Sequence, residues 1–359
     1  MRRVLCDLHH ESLFESLQLL FEGRLGWRLY RPIGLEWFTE GYWNLAQPYG
    51  NNPGTVAQFL SADYVPDPGK DGTPSLNTVT GERDEDGVRI IRNEYWPVCG
   101  HRAITFDQFK ALDFDIVIAS VPYQIGAFRR LVDTHKPKAK LIHQMGNNWA
   151  GQVDFRQCKN IMASTARFDV SGDVNAVFYH QEFDLSTFRY VPPDHTNANV
   201  HSFLNCFRET RDHGLFYQLK DQLPEYTFKS FGAQCDEGVL APHSVLWEQE
   251  RRSAFIWHVK AGGDGYGHIL FNSAAVGRPT IVKKHYYQGQ LGEKLLTHGE
   301  TCIDLDVLSL NQCADMLRAI RSDEGYHRQL CQNAYDRFKT TVDFNTEEQQ
   351  LRAFLETLK

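Results

Sequence analysis

The stretch "FDIVIASVP", Phe114 to Pro122, is a near-continuous apolar run. A short run without polar alternation fits a strand covered on both faces, and such strands belong to parallel sheets sandwiched by helices. Its neighbours agree, since "GAFRRLVDTHK" follows with helical spacing and "AKLIHQMG" then reads as another strand. The chain opens in the same way. "RRVLCDL" has strand composition, "ESLFESLQLLFEGRLGWRLYRP" places Leu13, Leu17, Leu20 and Phe21 at helical spacing before Gly23 and Gly26, and "WRLYRP" reads as a second strand. Strand, helix and parallel strand form a βαβ unit with a right-handed crossover, so the expected class is α/β. "KNIMAST" and "VNAVFYHQEF" supply two further candidate strands.

At 359 residues the chain exceeds the size at which one core keeps growing, so two domains are expected. "DLSTFRYVPPDHTN" has the paired prolines and polar residues of a linker. After it a second series begins at "NVHSFLNCF", runs through "LFYQLKDQL", "YTFKSFG", "AFIWHVK" and "PTIVKK", and closes on C-terminal helices. The boundaries read from this pattern are 1–190 and 191–340, with 341–359 as a C-terminal helix packing back on the first domain. Residues 47–103 break the rhythm: "QPYGNNPGTV", "VPDPGKDGTPS" and "TGERDEDG" read as a long loop insertion. Trp37, Tyr42, Trp43, Tyr95 and Trp96 give it an aromatic rim suited to sugar rings or bases, or to a local core.

A net charge of -7 argues against a dedicated nucleic-acid binder, although Lys70, Arg83, Arg89, Arg92, Arg102, Lys110, Arg129 and Arg130 are available for a basic groove. Eight cysteines without a C-x-x-C pair read as reduced thiols. No stretch reaches the length of a signal or a membrane span, so a cytoplasmic protein is expected.

The chemistry concentrates in "AGGDGYGHILFNSAAVGRP", Ala261 to Pro279. A glycine turn between a strand and a helix lets backbone N–H groups approach a phosphate at the helix N-terminus, where the dipole favours an anion. The same turn also serves plain helix–sheet packing. Asp264-Gly265-Tyr266-Gly267, followed by Asn272 and Gly277-Arg278-Pro279, resembles the donor-site signature of GT-B glycosyltransferases of the glycogen-synthase-like type. That signature reads Glu-Gly-Phe-Gly, four residues, then Glu-Ala-x-Ala-x-Gly-x-Pro. "NCFRETRDHG" similarly resembles the family's Gly-Arg-x-x-x-x-Lys-Gly, with Arg208 in register and His213 in the lysine position.

This resemblance implies a GT-B architecture of two Rossmann-like α/β/α domains, and a metal-independent transfer from a nucleotide-diphosphate sugar, UDP-sugar favoured, to a hydroxyl acceptor with retention. It implies donor-sugar contacts from Asp264, Gly265, Tyr266 and Gly267, a ribose contact from Asn272, and diphosphate contacts from Arg208, with Arg211 or Lys260 supplying the permanent charge that His213 lacks. Gly232, closing "YTFKSFG", is expected beside the base with Phe231. His143 in "KLIHQMGNNW" and His10 in "CDLHHESLF" are the acceptor-side candidates, because a histidine at a strand's carboxyl end can bond a hydroxyl or carry a proton. A metal on Asp7, His9, His10 and Glu11 is disfavoured, since adjacent residues point different ways and no ligand is spaced to complete a site. Three alternatives stand beside the transferase acting on a glycan or small molecule: a virus-type enzyme acting on 5-hydroxymethylcytosine in DNA, an epimerase or phosphorylase on the same fold, and a non-enzymatic two-domain binding protein.

Overall fold

The computed structural model describes residues 1–6, 11–32, 77–93, 96–104, 106–120, 125–146, 155–166, 173–240, 243–261 and 265–359, with backbone alone at 11, 77–81, 89, 91–93, 96–99, 103 and 243–244. His10, Asp264, Trp37, Tyr42, Trp43 and Tyr95 therefore lie outside the described residues. The chain divides into two compact units: Met1–Ser164, Phe168–Glu182 and Thr346–Lys359 form the first, and Thr165–Arg167 with Phe183–Asn345 form the second.

Unit 1 is built on one sheet. Its strands are β1 (Arg3–Cys6), β2 (Arg28–Pro32), β3 (Asn77–Arg83), β4 (Arg89–Asn93), β5 (Trp96–Ile104), β6 (Ile116–Ala119), β7 (Lys140–Met145), β8 (Asn160–Ala163) and β9 (Asn175–Phe178), in the order β3-β4-β5-β2-β1-β6-β7-β8-β9. Every pairing from β5 to β9 is parallel. The apolar run beginning at Phe114 contains β6, flanked by β1 and β7. Val4, Cys6, Ile116 and Ile118 point into one cluster with Phe14 and Leu17 of the helix Glu11–Gln18 and Phe21 of the π-helical turn after it, while Leu5, Val117 and Ala119 point into the other with Phe128 and Leu131. Both sides of the pleat are covered, which is why period-two alternation is missing. The last helix, Phe344–Glu356, adds Leu351, Phe354 and Leu355 to the first of these clusters.

The 47–103 region departs from its reading as a loop, because β3, β4 and most of β5 fall within it and extend the sheet. β3 and β4 pair antiparallel around the turn "DEDG". Its acids serve as ion partners for the parallel strands. Asp86 takes Arg3 of β1 through two hydrogen bonds of 2.9 and 2.7 Å, and Asp84 lies 3.1 Å from Arg102 of β5 and 3.5 Å from Arg28 of β2. The second oxygen of Asp84 caps the turn by accepting from Asp86 N and Val88 N. A segment whose composition signals solvent is thus held by charge rather than by apolar periodicity.

Unit 2 carries β10 (Asn199–Ser202), β11 (Thr227–Ser230), β12 (Phe255–Trp257), β13 (Thr280–Val282) and β14 (Cys302–Asp304), all parallel, in the order β11-β10-β12-β13-β14. Val200, Phe228, Phe255, Trp257, Ile281 and Ile303 face one cluster, against the helices His213–Gln222 and Leu310–Ser322. Val282 faces another with Leu270 and Phe271 of the helix His268–Ala275. The paired-proline stretch belongs to this unit, since Phe183 and Phe188 pack with Phe338 and Phe344. Gly277-Arg278 has a packing role: Gly277 has φ of +73°, and a Cβ there would meet the Tyr190 ring at 2.5 Å. The buried Arg278 guanidinium donates to the carbonyls of Arg251, Val191, Val276 and Gly277.

Candidate functional site

The order β11-β10-β12 sets the site in unit 2. From β10 the chain crosses to β11 on one side, then returns past β10 to β12, so the connections leave β10 and β12 in opposite directions. Loops that follow two such strands diverge above their carboxyl ends and leave a crevice. Ser202 pairs with Trp257 in register, so the loop carrying Arg208 and the loop carrying Lys260 and Gly265 start side by side.

The first loop is tightly held. Cys206 adopts a left-handed conformation with φ of 53°, and the short turn Phe207–Glu209 follows it. Cys206 N donates to Ala233 O at 2.7 Å, and Asn205 Oδ1 accepts from Ala233 N at 2.9 Å. This fastens the loop after β10 to the loop after β11. Gly232 is required at that junction, because its φ is +131° and a Cβ would lie 2.6 Å from Asn205 Oδ1. Arg208 points outward, 68% exposed, and pairs with Asp236, which also accepts from Tyr217 Oη at 2.8 Å. Partial burial works against ionisation of Asp236, but the hydrogen bonds from Tyr217 and Arg208 outweigh it and hold its carboxyl below the usual range. An exposed guanidinium on a fixed turn, held by one carboxylate, is able to exchange that partner for a phosphate.

His213 begins the helix His213–Gln222, and its Nδ1 lies 2.8 Å from Thr210 O. Because a carbonyl only accepts, Nδ1 carries the proton in this arrangement. A permanent charge beside the preceding residue, Asp212, comes from a segment the sequence did not suggest. Lys283, immediately after β13, donates to Asp212 Oδ1 at 3.1 Å, and Tyr286 Oη donates to the other oxygen of Asp212. Arg211 acts on the same carboxylate through space. The only sequence signal for Lys283 is its place directly after "TIV", at a strand's carboxyl end.

On the second loop Lys260 is half-buried beyond β12, and Gly265, Tyr266 and Gly267 are buried. Gly267 caps the helix His268–Ala275, its carbonyl accepting from Leu270 N at 2.8 Å. The Tyr266 ring stacks on Phe271 with centroids 4.3 Å apart and planes 3° apart, inside the apolar cluster. Its side chain is therefore committed to the core, and its backbone, the part expected to meet the donor sugar, is what a ligand can use. Asn272 is 5% exposed on the same helix, and its Oδ1 has no hydrogen-bond partner among the described residues. A buried acceptor without a donor is costly unless something supplies one. At the far side of the crevice Phe231 stacks on Phe203, with centroids 5.6 Å and planes 14° apart, beside Gly232.

In unit 1, His143 sits in β7 between Ala119 and Ile161 and is fully enclosed. Burial pushes its pKa down to about 4, so the ring is neutral. An enclosed ring offers no face to a substrate, which corrects the reading of His143 as an acceptor contact. The next residue is the polar one of interest. Gln144 Nε2 donates to Ser164 Oγ at 2.9 Å and to Tyr179 Oη at 3.1 Å, and Gln181 Nε2 donates to Ser164 Oγ at 2.6 Å. These four buried residues lie at the carboxyl ends of β7, β8 and β9. Among the described residues no group of three or more His, Cys, Asp or Glu is placed to hold a metal ion, and no helix is long and apolar enough to cross a membrane.

No protein-family model and no curated protein sequence matches the chain. Solved structures do. HepE of Anabaena in complex with UDP and glucose is 10% identical over the whole of both chains, with a TM-score of 0.63. Sucrose-phosphate synthase of Thermosynechococcus elongatus is 11% identical over 99% of this chain and 98% of its own, with a TM-score of 0.59. An α-glucosyltransferase solved with UDP and a 13-mer DNA is 11% identical over 99% of this chain and all of its own, with a TM-score of 0.60. These neighbours are GT-B glycosyltransferases. The chain has the GT-B fold.

Proposed function

We propose that the protein is a glycosyltransferase that moves a sugar from a nucleotide-diphosphate sugar, with UDP-sugar as the favoured donor, to a hydroxyl acceptor, without a metal and with retention at the anomeric carbon. The observation that carries this reading is the crevice between β10 and β12, where an outward-facing arginine and a glycine turn capping a helix leave adjacent strand ends. The diphosphate suits that pair. Arg208 offers two parallel N–H donors, and the first turn of the helix His268–Ala275 offers backbone N–H groups and its dipole. Lys260 adds charge on the second loop, and Lys283 holds Asp212 beside His213.

As the bond between the anomeric carbon and the diphosphate breaks, negative charge grows on the leaving oxygens, and fixed donors there lower the barrier. The acceptor oxygen then bonds to the anomeric carbon, and its proton passes to the departing diphosphate. Asn272 Oδ1, buried and without a donor among the described residues, is the acceptor for a ribose hydroxyl. Gly232 and the Phe203–Phe231 stack border the base, the backbone of Gly265 to Gly267 and the side chain of Asp264 hold the donor sugar, and His10 is the remaining acceptor-side candidate. The uridine preference draws on HepE, whose structures hold UDP and UDP-glucose.

Calorimetric titration with UDP, GDP, ADP and their glucose conjugates tests the reading, and saturable binding of a uridine diphosphate with slow hydrolysis of the sugar conjugate is expected. Neither binding nor hydrolysis across the panel overturns it. A hydroxymethylated base in DNA is the second acceptor reading, favoured by the α-glucosyltransferase solved with a 13-mer containing an HMU base. Absence of a gel shift with such DNA, even at low salt, removes it.

A further inference from the structure

Of the cysteines whose surroundings are described, five are buried, and Cys206 and Cys235 are the two that reach the surface. Burial pushes the thiols of Cys302, Cys313 and Cys331 up to about 12, so these are inert. Cys206 and Cys235 lie 29 positions apart in sequence, at the ends of different strands, yet they converge. Cys206 N donates to Ala233 O at 2.7 Å. The Cys235 sulfur lies 3.6 Å from that same Ala233 oxygen and 3.0 Å from Leu204 O, two residues before Cys206. Partial burial raises the Cys235 thiol as well, but the Phe207 N–H, directly after Cys206, opposes that by donating to its sulfur, and the two thiols act on each other through space. The Cys235 sulfur is therefore surrounded by backbone atoms from both sides of Cys206. Cys206 holds a left-handed φ of 53° without being glycine, and such conformations gather at sites where the surroundings have a use for them.

Each cysteine also adjoins one member of the ion pair at the crevice. Cys206 precedes the turn that carries Arg208, and Cys235 precedes Asp236, the carboxylate that holds Arg208. We propose that Cys206 and Cys235 are a reversible disulfide site, oxidised by a small-molecule disulfide such as oxidised glutathione, and that closing it withdraws Arg208 from the donor diphosphate. The Cys206 thiolate attacks one sulfur of the glutathione disulfide and releases the first glutathione as a thiol. The Cys235 thiolate then displaces the second glutathione from the mixed disulfide. The two protein thiol protons end on the two glutathione thiols, and two electrons pass from the protein to glutathione. Making the bond draws the Cys235 sulfur off Leu204 O and shifts Asp236 with it, so the turn under Arg208 is re-set.

The effect on donor binding rests on the reading under Proposed function, whereas the bond itself does not. The full chain, incubated with oxidised glutathione, is digested without reductant and mapped by mass spectrometry, and UDP is titrated into the reduced and oxidised forms. The expected result is a peptide pair joined through Cys206 and Cys235 that lacks the mass of two hydrogens, with UDP affinity weakened roughly tenfold, about the worth of one charge-assisted contact, and restored by dithiothreitol. Cys206→Ser and Cys235→Ser should each remove both the link and the change in affinity. No joined peptide, a stable glutathione adduct in its place, or a joined peptide with unchanged UDP affinity overturns the proposal. Reduced protein that binds no UDP overturns the donor reading instead, and the peptide map still decides the bond.

Discussion

Glu250 is fully buried at the end of the helix His243–Arg251, and neither carboxyl oxygen has a hydrogen-bond partner among the described residues. Burial raises its pKa well above 4.5, and the opposing attraction of Arg278 does not cancel that. The folded protein therefore keeps a proton that the unfolded chain releases. The sign follows from linkage: the stabilising contribution is complete below the unfolded pKa, and it is lost as the pH rises towards the raised folded value. One proton held by the folded state alone makes stability fall by about 1.4 kcal/mol per pH unit throughout that window. Glu250→Gln keeps the shape and abolishes the titration. Urea unfolding of both proteins at intervals from pH 5 to 8 isolates this one group, because every other titration is shared. The variant should gain on the wild type by about 1.4 kcal/mol for each pH unit within that window. A difference that is flat with pH, or that moves in favour of the wild type, refutes the assignment of Glu250 as a neutral acid.

The other predictions concern the crevice. Arg208→Ala should weaken UDP binding by about ten- to a hundredfold while leaving uridine binding unchanged, as expected for one charge-assisted phosphate contact, and parallel titrations of the two ligands check this. Gly232→Ala should lower stability by about 1–3 kcal/mol, from the left-handed backbone together with the clash on Asn205 Oδ1, measured as a shift in the urea midpoint. Asn272→Glu should alter affinity for UDP-glucose, because it places an ionisable acceptor at the buried position, and an unchanged dissociation constant would remove Asn272 from the donor site. Lys283→Met leaves Asp212 without its lysine, and should weaken UDP binding by less than Arg208→Ala in the same titration.

What the sequence makes legible here follows the range of the forces involved. β6 and the first βαβ unit are visible because two apolar clusters impose a local pattern on consecutive residues. The glycine turn is visible for a similar reason, since a strand, a turn and a helix adjoin in the chain. The hairpin β3–β4 is not, because Asp84 and Asp86 meet partners at Arg3, Arg28 and Arg102, far away in sequence. Arg208 is legible but Asp236 is not, and His213 is legible but the Lys283–Asp212 contact beside it is not. Each missed partner arrives from another strand end. His143 shows the opposite failure: a polar residue at a suggestive place, which the covered sheet has enclosed.

The division of the chain inverts the order in which its parts can be finished. Residues Phe183–Asn345 form most of unit 2, while unit 1 needs Thr346–Lys359, which a ribosome makes after them. Leu351, Phe354 and Leu355 cover apolar side chains of β1, β2 and β6, strands made before unit 2, and Arg24 waits on Glu348 as His180 waits on Glu347. During synthesis the later-made unit can close its core while the earlier one still exposes a face. Until residues 346–359 are in place, that exposed apolar face leaves the chain open to chaperones and to misassociation.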